Sequence, residues 1–371
     1  MGTTGLTAQA LGANDHEEIR AILGRSILLA FIIGLALITL QKPISNLSFF
    51  LLQGSTQVEF LAHEYFDIRI WSAPATLTNY VLLGWLIAIG KAKHALGLQL
   101  LLNISNIIFD TFFVIGLNMG VQGVALGTIF AEYTAVLVGI GVVLRAQSHL
   151  LGSWNIQRIL KKARVIKTLS VNIDILVRTF ALLIVFSWFT ATSATLGDTA
   201  LAANAVLLHF LTMSAYFLDG IALATEKFVG ESVGSRSRTN FVSVAKLSTS
   251  WAVGVAAVLS FLLMIFGPTM IDFITVTPAV REVAKDYVNW AALAPLIGVW
   301  CFQLDGIFIG ATATSAMRNS MLLSTFLFFI TWIFLERFGN LGLWIALLSH
   351  FVYRAITLYL RLPNVIRSID L

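Results

Sequence analysis

The chain has 371 residues, of which 58% are hydrophobic and 12% charged, with a formal net charge of +5. Soluble domains carry about 25% charged residues, so most of this apolar surface has to face lipid; the mean hydropathy of +0.86 points the same way. These values exclude a water-soluble enzyme and a nucleic-acid binder, and the single cysteine, Cys301, permits neither an internal disulfide nor a thiolate metal site.

In chain order, ten apolar stretches are long enough for a helix to cross a bilayer. They cover 22–42, 65–90, 95–117, 121–144, 165–193, 198–226, 242–267, 284–310, 316–335 and 340–360. The pattern predicts an all-α polytopic membrane protein and lacks the short alternating segments of a membrane barrel. Residues 1–20 do not have the basic and apolar regions of a signal peptide. The loops on one side, together with both terminal segments, hold seventeen Lys/Arg, and the opposite loops hold four. That asymmetry predicts that both termini are cytoplasmic.

The two halves echo each other. Thr7 and Gly12 match Thr225 and Gly230, Ala73-Pro74 matches Ala294-Pro295, Gly90 matches Gly310, and Gly120/Gly123 matches Gly339/Gly342, at offsets of 218 to 221. An ordered set at nearly constant spacing predicts an internal repeat. It divides the chain into an N-terminal lobe (1–144, four spans), a basic linker (145–164) and a C-terminal lobe (165–371, six spans). The six-span second unit implies a first unit longer by about 55 residues, so the repeat predicts one helix and most of another ahead of Met1.

Carboxylates inside spans are the informative positions, because each costs about 2.5–3.5 kcal/mol at mid-bilayer if charged. Asp110, Asp174, Asp219 and Asp305 qualify. Asn103, Asn106 and Asp110 form one polar stripe along a single helix. This makes Asp110 the leading candidate to take up and release a proton, against a plain reading of interhelical hydrogen bonding. Asp174 and Arg178 stand at i, i+4, a spacing that predicts a neutralising pair within one helix. Glu132 and Glu226 lie near span ends, where long side chains reach the interface. His209 and His350 are read as interhelical hydrogen-bond donors rather than proton relays. Pro74 and Pro295 mark candidate bends. No P-loop, HExxH, cysteine-pair metal motif or nucleophile elbow occurs, so the chain offers no candidate catalytic, metal or cofactor site.

The segments GLTAQALGA (5–13), IRIWSAPATLTNYVLLGWLIA (68–88), NISNIIFD (103–110), VQGVALGTIFAEY (121–133), SAYFLDG (214–220) and LDGIFIGATATSAMRNSM (304–321) resemble the DinF branch of the MATE multidrug and toxin extrusion transporters. The resemblance runs along the whole chain. It implies two pseudo-symmetric six-helix bundles and export of small organic, often cationic, compounds across a bacterial inner membrane in exchange for protons or, alternatively, sodium ions. It also implies that Asn106–Asp110 works with a threonine on the next helix, for which Thr128 is the counterpart. Asp174 and Asp305 fall on helices where sodium-coupled members carry acids, and a cation- or substrate-binding role is the expectation for Asp174, Arg178, Asp219 and Asp305. Two rivals remain: a flippase for lipid-linked oligosaccharides, whose large anionic substrate would need a cavity rich in Arg and Lys, and a shortened product without transport activity.

Overall fold

The computed structural model describes residues 2–51, 55–149 and 153–369, and the described residues are helical almost throughout. In chain order the helices are α1 (Gly2–Gly12), α2 (His16–Thr39), α3 (Gln41–Leu51), α4 (Thr56–Arg69), α5 (Ala73–Ala88), α6 (Ala92–Asp110), α7 (Gly120–Ala146) and the short α8 (Ile156–Ile159). They continue with α9 (Lys162–Thr195), α10 (Asp198–Gly234), α11 (Arg238–Ile274), α12 (Pro278–Gly310), α13 (Thr314–Leu335), α14 (Asn340–Tyr359) and α15 (Leu362–Arg367). Two compact units meet in sequence at Thr168 and Leu169.

Among the described residues nine helices are long and apolar enough to cross a bilayer, three in the first unit and six from α9 onward. The expected span at 65–90 is not one of them. A 3-10 turn at Ile70–Ser72 interrupts it, leaving α4 and α5 as the two arms of a helical run from 56 to 88. Pro74 explains the break, since it has no N–H to give to the carbonyl four residues earlier and its ring crowds that carbonyl. The backbone tightens locally, and Ala73 N–H bonds to the Ile70 carbonyl instead. The Ser72 hydroxyl donates to the Arg69 carbonyl at 2.8 Å, supporting the bend. Gly34 of α2 receives this bend, because a Cβ there would lie 2.5 Å from Pro74 Cα. Pro295, by contrast, sits inside an unbroken α12.

Helix starts show the repeat more sharply than residue identities do. Residues 16 and 238, 56 and 278, and 92 and 314 begin α2 and α11, α4 and α12, and α6 and α13, each pair 222 residues apart. The caps repeat in the same register. Asp15 accepts from the Glu18 N–H and Ser237 from the Asn240 N–H, the reciprocal position in each unit. The left-handed residues Asn14 and Arg236, and Gly90 and Thr312, are spaced likewise. The offset of 218 read from Thr7/Gly12 and Thr225/Gly230 is therefore corrected by four residues. Four residues are about one helical turn, so the shifted match keeps the same helix face, and similarity of residue type alone does not expose the slip.

Each unit has its own apolar core. Leu82, Trp85, Leu86 and Ala135 anchor that of the first, and Phe189, Phe210, Phe328 and Trp344 that of the second. The opposite faces stay bare, with Leu137 73%, Ile115 73% and Phe334 74% exposed. Such faces are stable only in lipid, where helix association rests on packing and hydrogen bonds.

In the expected linker, α8 is held to the start of α2. Buried Arg25 donates to the carbonyls of Ile159 (3.0 Å) and Arg158 (2.9 Å) and pairs with Glu18 at 3.3 Å. Arg158 bridges Asp15 at 2.8 Å and Glu17 at 3.2 Å. Asp15 holds the Arg158 guanidinium above its ordinary range. This outer pair is exposed, so it contributes little on its own.

Candidate functional site

The first unit brings Asn106, Asp110 and Thr128 together where α6 packs against α7. Asn106 Nδ2 donates to Thr128 Oγ1 at 3.2 Å, and Thr128 in turn donates to the Val124 carbonyl at 2.9 Å. Gly127 makes the approach possible, since a Cβ there would lie 2.1 Å from Asp110 Oδ1. That oxygen is buried and finds no hydrogen-bond partner among the described residues. Immediately after Asp110 the helix widens into a π-helical turn, Thr111–Gly116, a feature common at functional positions. Asn103 belongs to the same stripe but is exposed and accepts from Gln99 Nε2 at 3.2 Å, outside the Asn106–Thr128 contact.

Glu132, one turn further along α7 from Thr128, was expected to reach an interface. It is buried instead, with Asn79 Nδ2 donating to its carboxylate at 2.6 Å and Arg69 at 3.5 Å. Arg69, at the end of α4, is only partly exposed and reaches toward Glu132. A buried carboxylate needs such a partner, and the bend at 70–72 brings one into reach.

In the second unit the predicted Asp174–Arg178 pair does not form. Asp174 Oδ1 accepts from Arg318 Nη1 at 2.6 Å and Oδ2 from Thr314 Oγ1 at 2.8 Å, both at the start of α13. Arg178 turns to α12, where Arg178 Nη2 and Arg354 Nη2 both meet Asp305 Oδ2. The physical reason is competition. An i, i+4 pair within one helix gains a few tenths of a kcal/mol, whereas a shared buried carboxylate gives a counter-charge to two guanidinium groups that would otherwise be stranded. Asp219 on α10 lies within electrostatic range of the same two arginines, so Arg178, Asp219, Asp305 and Arg354 form one cluster of balanced charge. The Arg354 guanidinium also sits over the Phe302 ring, 5.8 Å from its centroid.

Neither Arg318 nor Arg354 belongs to a motif; Arg354 signals a buried acidic partner only by being a basic residue within a span, and Arg318, near the start of one, carries no such signal. His209 is exposed, and His350 is fully buried against Phe328 and Phe351. We expect Asp174→Ala to lower stability by about 1–3 kcal/mol, measured as a shift in thermal unfolding in detergent, because Arg318 is 34% exposed and can turn to water.

Two helical bundles that repeat each other's boundaries, carry bare apolar faces and keep paired acids within their spans define a multi-pass membrane transport protein. A family model described as MatE matches residues 1–112 and 175–335, and the chain belongs to that family. It is 37% identical to DNA damage-inducible protein F of Escherichia coli K12, over 96% of this chain and 78% of that one. It is 23% identical to a "Probable multidrug resistance protein NorM" of Bacillus cereus, over 99% of this chain and 83% of the relative. Among solved structures it resembles a MATE protein in the straight conformation (TM-score 0.90, 19% identity, 100% of this chain and 83% of that one). It also resembles a MOP superfamily transporter from Pyrococcus furiosus (TM-score 0.90, 18% identity, 100% and 84%). Both likenesses speak to the fold.

Proposed function

We propose that the chain works as a secondary-active exporter of small organic cations in a bacterial inner membrane, with both termini cytoplasmic, driven by proton exchange through alternating access. The observation that carries this reading is the state of Asp110. Asp174, Asp305 and Glu132 each face a guanidinium, whereas Asp110 faces no cation among the described residues: its side chain meets the Asn106 amide beside the Asn106–Thr128 contact, and its Oδ1 is buried without a hydrogen bond. A carboxyl without a counter-cation is free to be a neutral acid in one state and an anion in the other. As an anion it attracts a cationic substrate. Once protonated it releases that attraction and shifts the balance between conformations. Proton exchange is preferred to sodium exchange because the Asp110 site offers one carboxylate, one amide and one hydroxyl, a sparse set for a metal cation.

The flippase reading asks for guanidinium groups available to an anionic substrate. Arg178 and Arg354 are instead engaged by Asp305 and lie in the field of Asp219, which supports the cation reading.

The test is efflux from liposomes containing the purified protein, with a fluorescent organic cation as substrate and an imposed pH gradient as the driving force. Asp110→Asn is expected to reduce uphill efflux to the level of protein-free liposomes while thermal unfolding stays that of the wild type. Undiminished pH-driven efflux by the variant would remove Asp110 from the mechanism. Wild-type efflux driven by a sodium gradient but not by a pH gradient would reassign the coupling ion. No efflux from wild-type liposomes under either gradient would favour the non-transporting alternative.

A further inference from the structure

A groove on the first unit, apart from the Asp110 site, is built for a ligand of a different kind. It has a volume of about 290 Å³ and runs between α6 and α7, lined by Lys93, His94, Gly97, Leu98, Leu101, Val138 and Val142. The long part of the lining is apolar. Gly97 leaves its wall open, since a Cβ at this position would meet nothing within 4 Å.

Basic side chains gather at one end. Lys93 and His94 lie in the first turn of α6, both exposed, with Lys91 as the residue capping that helix. Arg145 occupies the last turn of α7, and residues 91–109 and 133–149 contain no Asp or Glu. The same end holds the N-terminus of α6, whose first amides receive no side-chain cap and therefore favour an anion. A positive head joined to an apolar slot on a lipid-facing helix pair complements one molecule in outline and charge: a lipid with a negatively charged headgroup.

We propose that this groove is a binding site for an anionic phospholipid, with the phosphate at Lys93, His94 and the start of α6 and an acyl chain laid along Gly97, Leu101 and Val138. The site is independent of the coupling chemistry at Asp110. A zwitterionic phosphatidylcholine fills the slot equally well but loses the advantage at the cationic end, so the groove selects by headgroup.

The experiment is native mass spectrometry of the detergent-purified protein given equimolar phosphatidylglycerol and phosphatidylcholine with identical acyl chains. The wild type is expected to retain phosphatidylglycerol preferentially, by about fivefold for each cation engaged. Lys93→Glu with His94→Glu is expected to abolish the preference while leaving some lipid bound. Gly97→Leu fills the slot and is expected to reduce retention of both lipids. Thermal unfolding of each variant, expected to stay within a few degrees of the wild type, separates loss of the site from loss of the fold. Equal retention of the two lipids by the wild type would overturn the proposal, as would an unchanged preference in the charge-reversed variant or no effect of Gly97→Leu. Displacement of bound phosphatidylglycerol by millimolar inorganic phosphate would likewise overturn it, assigning the cationic end to a free anion rather than a lipid.

Discussion

Asp305→Ala is expected to lower the stability of the second unit by about 3–5 kcal/mol, the usual penalty for removing one partner of a buried ion pair. The Asp305 side chain is 7% exposed, and it faces Arg354 at 1% and Arg178 at 10%. Without the carboxylate, two guanidinium groups remain buried with only the field of Asp219 to offset them, and neither arginine has an easy route to water. The expected readout is a large fall in the midpoint of thermal unfolding in detergent, followed by tryptophan fluorescence. Replacing all four residues together (Asp305→Leu, Asp219→Leu, Arg178→Met and Arg354→Met) is expected to recover much of the loss, because packed apolar groups often substitute for a buried ionic cluster at little cost. A wild-type melting curve for the single variant would show that water reaches the cluster. The contrast with Asp174→Ala is instructive: the same residue type is lost in the same bundle, but its partner Arg318 is a third exposed and has somewhere to go.

Gly306→Val is expected to be nearly as damaging, for a steric rather than an electrostatic reason. Residues 306 to 310 read GIFIG, and the two glycines let α12 lie directly against the backbone of α10. A Cβ at Gly306 would lie 2.6 Å from the Ala222 carbonyl oxygen, and one at Gly310 would lie 2.5 Å from the Glu226 carbonyl oxygen. Backbone cannot rotate aside as a flexible side chain can, so the helices have to separate and lose close packing along their length. We expect a cost of about 3 kcal/mol, at the upper end of the range for overpacked interiors. Gly254→Ala supplies the control. It lies inside α11 with nothing within 4 Å of its would-be Cβ, and the change is expected to be neutral or stabilising by up to about 1 kcal/mol. Equal melting points for the two variants would mean that the α10–α12 approach is loose.

The first unit has small residues at the same positions, 222 residues earlier, with a looser approach. Gly84 corresponds to Gly306 and Ala88 to Gly310; Gly84 meets the Thr4 hydroxyl, 3.0 Å from its would-be Cβ, and Ala88 is fully buried. The correspondence is missed when Gly90 is matched to Gly310 by residue type. The backbone instead aligns Gly90 with Thr312, because both turn the chain through the left-handed region.

The amino-acid sequence by itself determined the helical class, nearly all the spans and the existence of a repeat. Each depends on local apolar content over about 20 residues, and in a bilayer a chain that cannot hydrogen-bond to water has to satisfy its backbone within its own helix. It also singled out the stripe of Asn106 and Asp110, because the periodicity of one helix places them on one face, and its resemblance to a known family supplied Thr128. Tertiary structure alone decided which charges meet. Asp174 pairs with Arg318, Arg178 and Arg354 share Asp305, and Glu132 holds Asn79 and Arg69. Spacing along one helix lists the partners a charge can have, but the choice is made by helices crossing from distant parts of the chain, where leaving a guanidinium unpaired in lipid costs far more than an i, i+4 contact returns. The interruption at Ile70–Ser72 follows the same logic: Pro74 permitted a bend, and Gly34 on a neighbouring helix made room for it.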